Sequence, residues 1–408
     1  MGNRAEATLL QHRAQIPALA NKRYFNYGGQ GPMAQSALEA VFAAHQHIQT
    51  DGPFSAAVNG WLQSEAALTR QVLAQVLGVD EGAMTLTEDV TVGCNIPLWG
   101  LPWQAGDHVL MSDCEHPGII MAMREISRRY GVDVSVFPIL PKPGAGSSID
   151  TTSDEIPSII ATHLRPTTRL VIISHILWNT GQVLPLKVIN DLCHAHSIRV
   201  LVDAAQSVGM LPLELGHSGT DFYAFTGHKW LCGPAGLGGL YVSAEARAEL
   251  SPTYIGWRGI EVNADGQPTD WKPDGRRFEI ATSDGALPAG LRAAIDYQNT
   301  WGTPQQRYFR ITQLSSYLWG RLHGLRHITC LLKTPPESGL VSFQITPNGI
   351  PSPSLHRQLV QQLEGQNIHL RTLLSPSCVR ACTHYFTLES ELDQLVDAIE
   401  AFLHETMA

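Results

Sequence analysis

The sequence predicts an α/β protein: a large domain on a mostly parallel sheet, followed by a smaller C-terminal α+β domain. Three observations predict it. Runs that are apolar throughout, such as HVLMS (108–112), RLVIISHIL (169–177) and RVLVDAAQ (199–206), have the pattern of strands buried on both faces. Stretches of helical patterning alternate with them, at 117–130, 154–164 and 186–197. After about residue 275 the alternation stops, and two helical stretches (288–300 and 305–323) come in succession.

Taken in order, residues 1–22 read as an N-terminal helical segment that packs with the small domain. It leads through the Gly-rich YFNYGGQGP (24–32) into helical patterning at 33–49 and 61–78. VDVSVFPIL (132–140) reads as a strand and PKPGAGSSID (141–150) as a loop. FYAFTG (222–227) and GLGGLYVS (236–243) complete the strand series, so the large domain is expected over 23–275. The small domain, 276–408, continues with the strand VSFQI (341–345), a helix at 353–364 and a strand near 367–371. VRACTHYFT (379–387) follows, and a helix at 390–404 ends it.

Composition narrows the function. A formal charge of −9, with no run of like charges, argues against nucleic acid or an anionic membrane as partner. No stretch approaches the ~20 apolar residues of a membrane span, and MGNRAEATLL lacks the apolar core of a signal peptide. Seven scattered cysteines fit a reducing compartment better than a disulfide framework, so a cytoplasmic location is expected. Cys193 and His196 in CHAHS have helical spacing, but one short cluster at a helix end reads as surface, and no metal is expected.

In open α/β sheets, ligands bind beyond the carboxyl ends of the strands. Asp203 and Gln206 end RVLVDAAQ, Thr226, His228 and Lys229 follow FYAFTG, and His116 follows HVLMSDCE. An acid after a strand often only caps a turn, and a lysine most often extends from a surface. Lys229 is one of six lysines in the chain, set in the compact TGHKWLCGPAG. A lysine amine can form a Schiff base with an aldehyde cofactor, and a carboxylate can pair with a pyridinium nitrogen. Together they are what pyridoxal phosphate requires.

VDAAQSVGMLPLEL (202–215) followed by DFYAFTGHKWLCGPAGLGGLYV (221–242) resembles the core of the class V aminotransferase-like enzymes of pyridoxal phosphate fold type I. That group includes cysteine desulfurases, kynureninases and cystine/cysteine C–S lyases. The resemblance makes Lys229 the Schiff-base lysine, Asp203 the partner of the pyridine nitrogen and Gln206 a contact to the ring hydroxyl. It makes His116 in SDCEHPG the histidine stacked on the ring, and Thr226 and His228 phosphate ligands. VTVGCN (90–95) occupies the place of the phosphate loop, with Thr91 at a helix N-terminus, where unpaired N–H groups suit a phosphate. Val90 stands where the family usually has a second threonine, which removes one side-chain contact. RFEIATS (277–283) resembles the segment that reaches the partner subunit's phosphate, implying a homodimer with Thr282 as a cross-subunit ligand.

The same resemblance makes Arg380 the carboxylate-binding arginine and Arg371 a second active-site arginine. Asn179 is offset by one place from the position of a desulfurase asparagine, near Trp178, and Trp257 and Arg258 replace the family's glycine-rich segment. Asn179 and Trp257 are expected as further substrate contacts, Trp257 shaping a pocket for a disulfide substrate. Desulfurases similar to this chain carry a loop with a sulfur-accepting cysteine between these two arginines. Here only TLLSPSCV (372–379) connects them, and Cys378 reads as a packed small hydrophobe. SHILWNTGQVLPL (174–186) and YIGWRG (254–259) are more similar to cystine C–S lyases. The implied activity is β-elimination from cystine or cysteine, giving pyruvate, ammonia and cysteine persulfide or sulfide, with a sulfur-accepting protein and iron–sulfur clusters as destinations. The alternatives are a cysteine desulfurase giving alanine, or a kynureninase- or epimerase-like enzyme. A dinucleotide loop at GPAGLGG (233–239) is disfavoured by its glycine spacing and by the strand that follows it.

Overall fold

The computed structural model describes residues 2–140 and 148–407. Helix α1 (Gly2–Arg13) and a short strand β1 (Arg23–Tyr24) precede α2 (Gln35–Thr50) and α3 (Ala56–Leu77). Ser55 caps α3 by accepting the Val58 N–H at 3.2 Å, and Gly78 ends it at φ +66°, a left-handed conformation that favours glycine. The chain then alternates: β2 (Met84–Thr87), α4 (Val90–Gly100), β3 (His108–Ser112), α5 (Pro117–Tyr130), β4 (Asp133–Phe137), α6 (Ile156–His163), β5 (Thr168–Ser174), α7 (Leu186–Ala195), β6 (Arg199–Asp203), β7 (Phe222–Thr226), β8 (Gly238–Val242) and α8 (Ala244–Glu249).

The sheet order is β2-β8-β7-β6-β5-β3-β4, and β8 alone runs against the others. Strands β3 and β7 are buried along their whole length. Leu73, Ile160 and Ile189 pack in the core on one side of the sheet, and Cys94, Ile119 and Ala246 in the core on the other. The double coverage explains why these strands read as unbroken apolar runs. The carboxyl ends of β2, β3, β5, β6 and β7 therefore open on a single rim.

A hairpin of β9 (Ile260–Val262) and β10 (Pro268–Trp271) precedes α9 (Leu287–Trp301) and α10 (Pro304–His323). Thr303 and Gln306 form a capping box at the start of α10, with Pro304 in its first turn. The second sheet is antiparallel, built from β11 (Ile328–Cys330), β12 (Leu340–Ile345), β14 (Arg371–Leu374) and β15 (Ser377–Cys382) in the order β11-β12-β15-β14. Leu314, Leu359 and Leu395, from α10, α11 (Pro353–Gly365) and α12 (Glu389–Met407), pack in its core. β1 pairs with β13 (Ile368–His369), and Arg13 of α1 donates to the Phe386 carbonyl at 3.0 Å and ion-pairs with Glu391.

The expected fold class is the observed one, a mostly parallel sheet plus a smaller antiparallel C-terminal sheet. Two details differ. Within the apolar stretch 379–387 the strand ends at Cys382, and His384–Thr387 turn instead, with the Thr387 N–H on the His384 carbonyl at 2.9 Å. Those residues are buried, against Trp230 and Tyr27. The β9–β10 hairpin went unread because it is largely exposed and shows no apolar face. The loop expected at 141–150 falls mostly on 141–147, outside the described residues.

Candidate active site

The site is built where β6 and β7 end side by side. Asp203 closes β6 opposite Ala224 of β7, so the chain leaving β7 through Thr226, His228 and Lys229 passes beside its carboxylate. One carboxyl oxygen of the buried Asp203 accepts the Ala205 N–H at 2.9 Å. Burial pushes this carboxyl upward, against the pull of the Ala205 N–H, Lys229 and His116. Burial lowers the Lys229 ammonium from 10.5 to about 8; Asp203 and Asp89 oppose the shift, while Arg380 and Arg371 add to it. An amine near that value can take up and return a proton at neutral pH.

His116 caps α5, its Nδ1 accepting the Gly118 N–H at 3.3 Å. Burial lowers its pKa, with Lys229 and Arg371 adding to the fall, so the ring is neutral and carries its proton on Nε2. Its edge meets the Trp178 ring at 5.8 Å between centroids. Gln206 donates to the Gly28 carbonyl at 3.0 Å and accepts from Trp230 Nε1 at 2.8 Å, which leaves one amide hydrogen free for a ligand. A Cβ on Gly28 would stand 2.6 Å from Arg380 Nη2, so a larger residue there would displace the guanidinium.

A short hydrogen bond of 2.5 Å joins Thr226 Oγ1 to His228 Nδ1. Thr91 lies in the first turn of α4, and Asp89 caps the Val92 N–H at 2.9 Å, leaving the Val90 and Thr91 N–H groups at the helix mouth. Arg380 is 1% exposed on β15, opposite Arg371 on β14. Its Nη1 donates to the Trp178 carbonyl at 2.6 Å, but its Nε has no partner, and among the described residues no carboxylate pairs with it. A buried guanidinium left in that state fits an incoming carboxylate. Arg380→Ala is expected to raise KM for an amino acid substrate about 10- to 100-fold, the scale of one lost charge-assisted contact, while the cofactor spectrum is kept. Steady-state kinetics beside an absorbance scan test this.

Asn179 is buried, with Nδ2 on the Ser375 carbonyl at 3.3 Å and Oδ1 unpartnered. Trp257 and Thr282 are exposed. Arg258 links their surroundings, with its guanidinium 5.6 Å from the Trp257 ring centroid and Nη1 on Ser283 Oγ at 3.1 Å. Among the described residues, no side-chain hydrogen bond ties either one to the Lys229 group. Sequence reasoning missed Trp178, whose carbonyl and ring contact two site residues, and Glu115, which lies beside His116 in the SDCEHPG motif.

The residues fit pyridoxal phosphate. Lys229 would hold its aldehyde, Asp203 its ring nitrogen, Gln206 its hydroxyl, and the α4 mouth with Thr91, Thr226 and His228 its phosphate.

Comparisons with known proteins bear on the family and its cofactor. A model of class-V aminotransferases matches residues 55–393. Two solved structures of C-DES, each 47% identical, cover 95% of this chain. One, at TM-score 0.89 over 98% of that chain, is a mutant with glycine covalently linked to its pyridoxal phosphate cofactor. The other, at TM-score 0.88 over 99% of that chain, is a complex of the cystine C–S lyase C-DES with its reaction product, cysteine persulfide. Isopenicillin N epimerase of Streptomyces clavuligerus is 28% identical over 393 residues, 93% of this chain and 94% of that protein. A probable cysteine desulfurase of Methanothermobacter thermautotrophicus is 27% identical over 405 residues, 95% and 96% of the two chains. With the match spanning Thr91, His116, Asp203, Lys229 and Arg380, the chain belongs to the class-V aminotransferase family.

Proposed function

We propose that this protein is a pyridoxal phosphate-dependent C–S lyase that cleaves cystine, or cysteine, by β-elimination. The observation that carries the choice is the connection between β14 and β15. Leu374 pairs with Ser377 across a turn of only Ser375 and Pro376, so no mobile cysteine loop fits there. Cys378 is fully buried beside Ile149, Leu331 and Leu373, and burial pushes its thiol up to about 12. A buried thiol with that pKa is no nucleophile at neutral pH, so sulfur has to leave with the electron pair of its own bond to carbon. The similarity to C-DES, whose product is cysteine persulfide, supports the same choice.

Bound pyridoxal phosphate supplies an electron sink for the carbanion at the substrate Cα. Arg380 fixes the substrate carboxylate, and this orients the Cα–H bond toward Lys229. Lys229 takes that proton, and Asp203 keeps the ring nitrogen protonated. The Cβ–S bond then breaks, both electrons going to sulfur, and neutral His116 can give its Nε2 proton to the departing group. A persulfide leaves more readily than a thiolate because it is the weaker base. The three-carbon fragment is released as aminoacrylate and hydrolyses to pyruvate and ammonia.

We further infer a homodimer in which Trp257 and Thr282 serve the partner's site. Tyr254, Ile255 and Trp257 form an exposed apolar stretch of the kind that marks an interface. A sulfur-accepting protein, as in iron–sulfur cluster assembly, is a fitting consumer of the persulfide.

The deciding experiment supplies cystine and cysteine and measures pyruvate, alanine and substrate configuration together. Pyruvate is expected from cystine, and Cys378→Ala should keep kcat/KM within about twofold, as for a small packing change near a site. Alanine as product, lost in Cys378→Ala, would make the protein a desulfurase. Inverted substrate without pyruvate would make it an epimerase.

A further inference from the structure

Glu115 has no part in the chemistry above, yet its placement is specific. It is 3% exposed, and its carboxyl spans two strand ends. Oε1 accepts Ser112 Oγ at 2.5 Å from the end of β3 and the Ser174 N–H at 3.0 Å from the end of β5. Oε2 accepts Ser174 Oγ at 2.9 Å. Ser174 stands opposite Asp203 in the β5–β6 register, and His116 is the next residue in the chain.

We propose that Glu115 is a positioning residue, whose carboxyl ties the ends of β3 and β5 together and so fixes where His116 and Asp203 stand. The inference rests on the reading of the site given above. Charge supports the geometry. Burial pushes the Glu115 carboxyl from 4.5 up to about 8; Asp203 adds to the rise, while the donors of Ser112 and Ser174 oppose it. The titratable groups facing it are Asp203 from β6, the buried thiol of Cys94 from α4, and the neighbouring Cys114. Among the described residues no basic side chain forms an ion pair with it. At neutral pH Glu115 is therefore mostly protonated, and Asp203 is not faced by a second full anion.

Glu115→Gln keeps the shape and the acceptor at Oε1 but cannot ionise, and its amide can donate to a Ser174 hydroxyl that turns to accept. Glu115→Asp keeps the acid but is one methylene too short to span both strands. The first measurement is Tm of the apoproteins between pH 4.5 and 9. A folded pKa of about 8 above an unfolded value of 4.5 means that native stability falls as pH rises through that window. The Tm difference, Glu115→Gln minus native, is thus expected to grow from pH 4.5 to about 8 and then level off. The second is pyridoxal phosphate affinity of the apoproteins, by fluorescence titration. Glu115→Gln should bind within about threefold of native and Glu115→Asp about tenfold or more weakly, the scale of a displaced buried hydrogen bond. A pH-independent Tm difference, or native-like affinity in Glu115→Asp, overturns the proposal. Failure of the native apoprotein to bind pyridoxal phosphate would instead overturn the reading of the site.

Discussion

Lys229→Ala is expected to abolish pyruvate formation from cystine, with turnover falling at least about 10⁴-fold, the upper range for loss of a general base. Two roles end with the side chain: the covalent hold on the cofactor aldehyde and transfer of the Cα proton. Lys229→Arg should not restore activity, because a guanidinium stays protonated throughout the working range. In the native protein, desolvation brings the amine to about 8. A base acts in its neutral form, so kcat should rise with pH up to about 8 and flatten above. The matching spectroscopic test is borohydride, which should eliminate the visible band of the native holoenzyme and leave cofactor in Lys229→Ala removable by dialysis. Persisting pyruvate in Lys229→Ala, above a level that free cofactor produces alone, would remove Lys229 from the mechanism.

Much of this site is legible in the sequence because its members lie at strand ends. Asp203, Thr226 and Lys229 follow runs apolar enough to be placed in a buried parallel sheet, and in such a sheet the carboxyl ends must share a rim. Other parts depend on convergence that no local pattern carries. The Trp178 carbonyl receives Arg380 from 202 residues away, and the Gly28 carbonyl receives Gln206 from 178 residues away. Neither is a side-chain signal, since a backbone carbonyl looks the same in every sequence. Glu115 was hidden differently: an acid near a strand end reads as a cap, and only its burial between Ser112 and Ser174 distinguishes it. Missed elements follow the same logic. β9 and β10 are short and turned to solvent, so hydrophobic alternation had no buried face to report. Cys378 was legible in both respects, as a residue with no loop around it and as a packed thiol.

Asp203→Asn is expected to lower kcat about 10²- to 10³-fold, the scale of removing one preorganised electrostatic group aimed at developing charge. The substitution is nearly isosteric, and the amide oxygen can still accept the Ala205 N–H that now binds the carboxylate at 2.9 Å. What it cannot do is hold a positively charged ring nitrogen, because a neutral amide gives no ion pair. Stability should move the other way. Burial raises the Asp203 pKa, so folding favours its protonated form, and the ionised carboxylate destabilises the apoprotein at neutral pH. By linkage, that contribution is fully favourable below the unfolded pKa and is lost as pH rises through the folded one. Asn avoids the loss, and the Asp203→Asn apoprotein should therefore melt at or above the native temperature at pH 7. Low kcat with undiminished Tm identifies a group retained for chemistry at some expense to stability. If kcat fell less than about fivefold, the ring nitrogen would not depend on this carboxylate, since a buried ion pair in a dry site is worth more than that. If kcat and Tm fell together, Asp203 would instead be holding the ends of β6 and β7 in place, and the alignment with Lys229 would be lost with it.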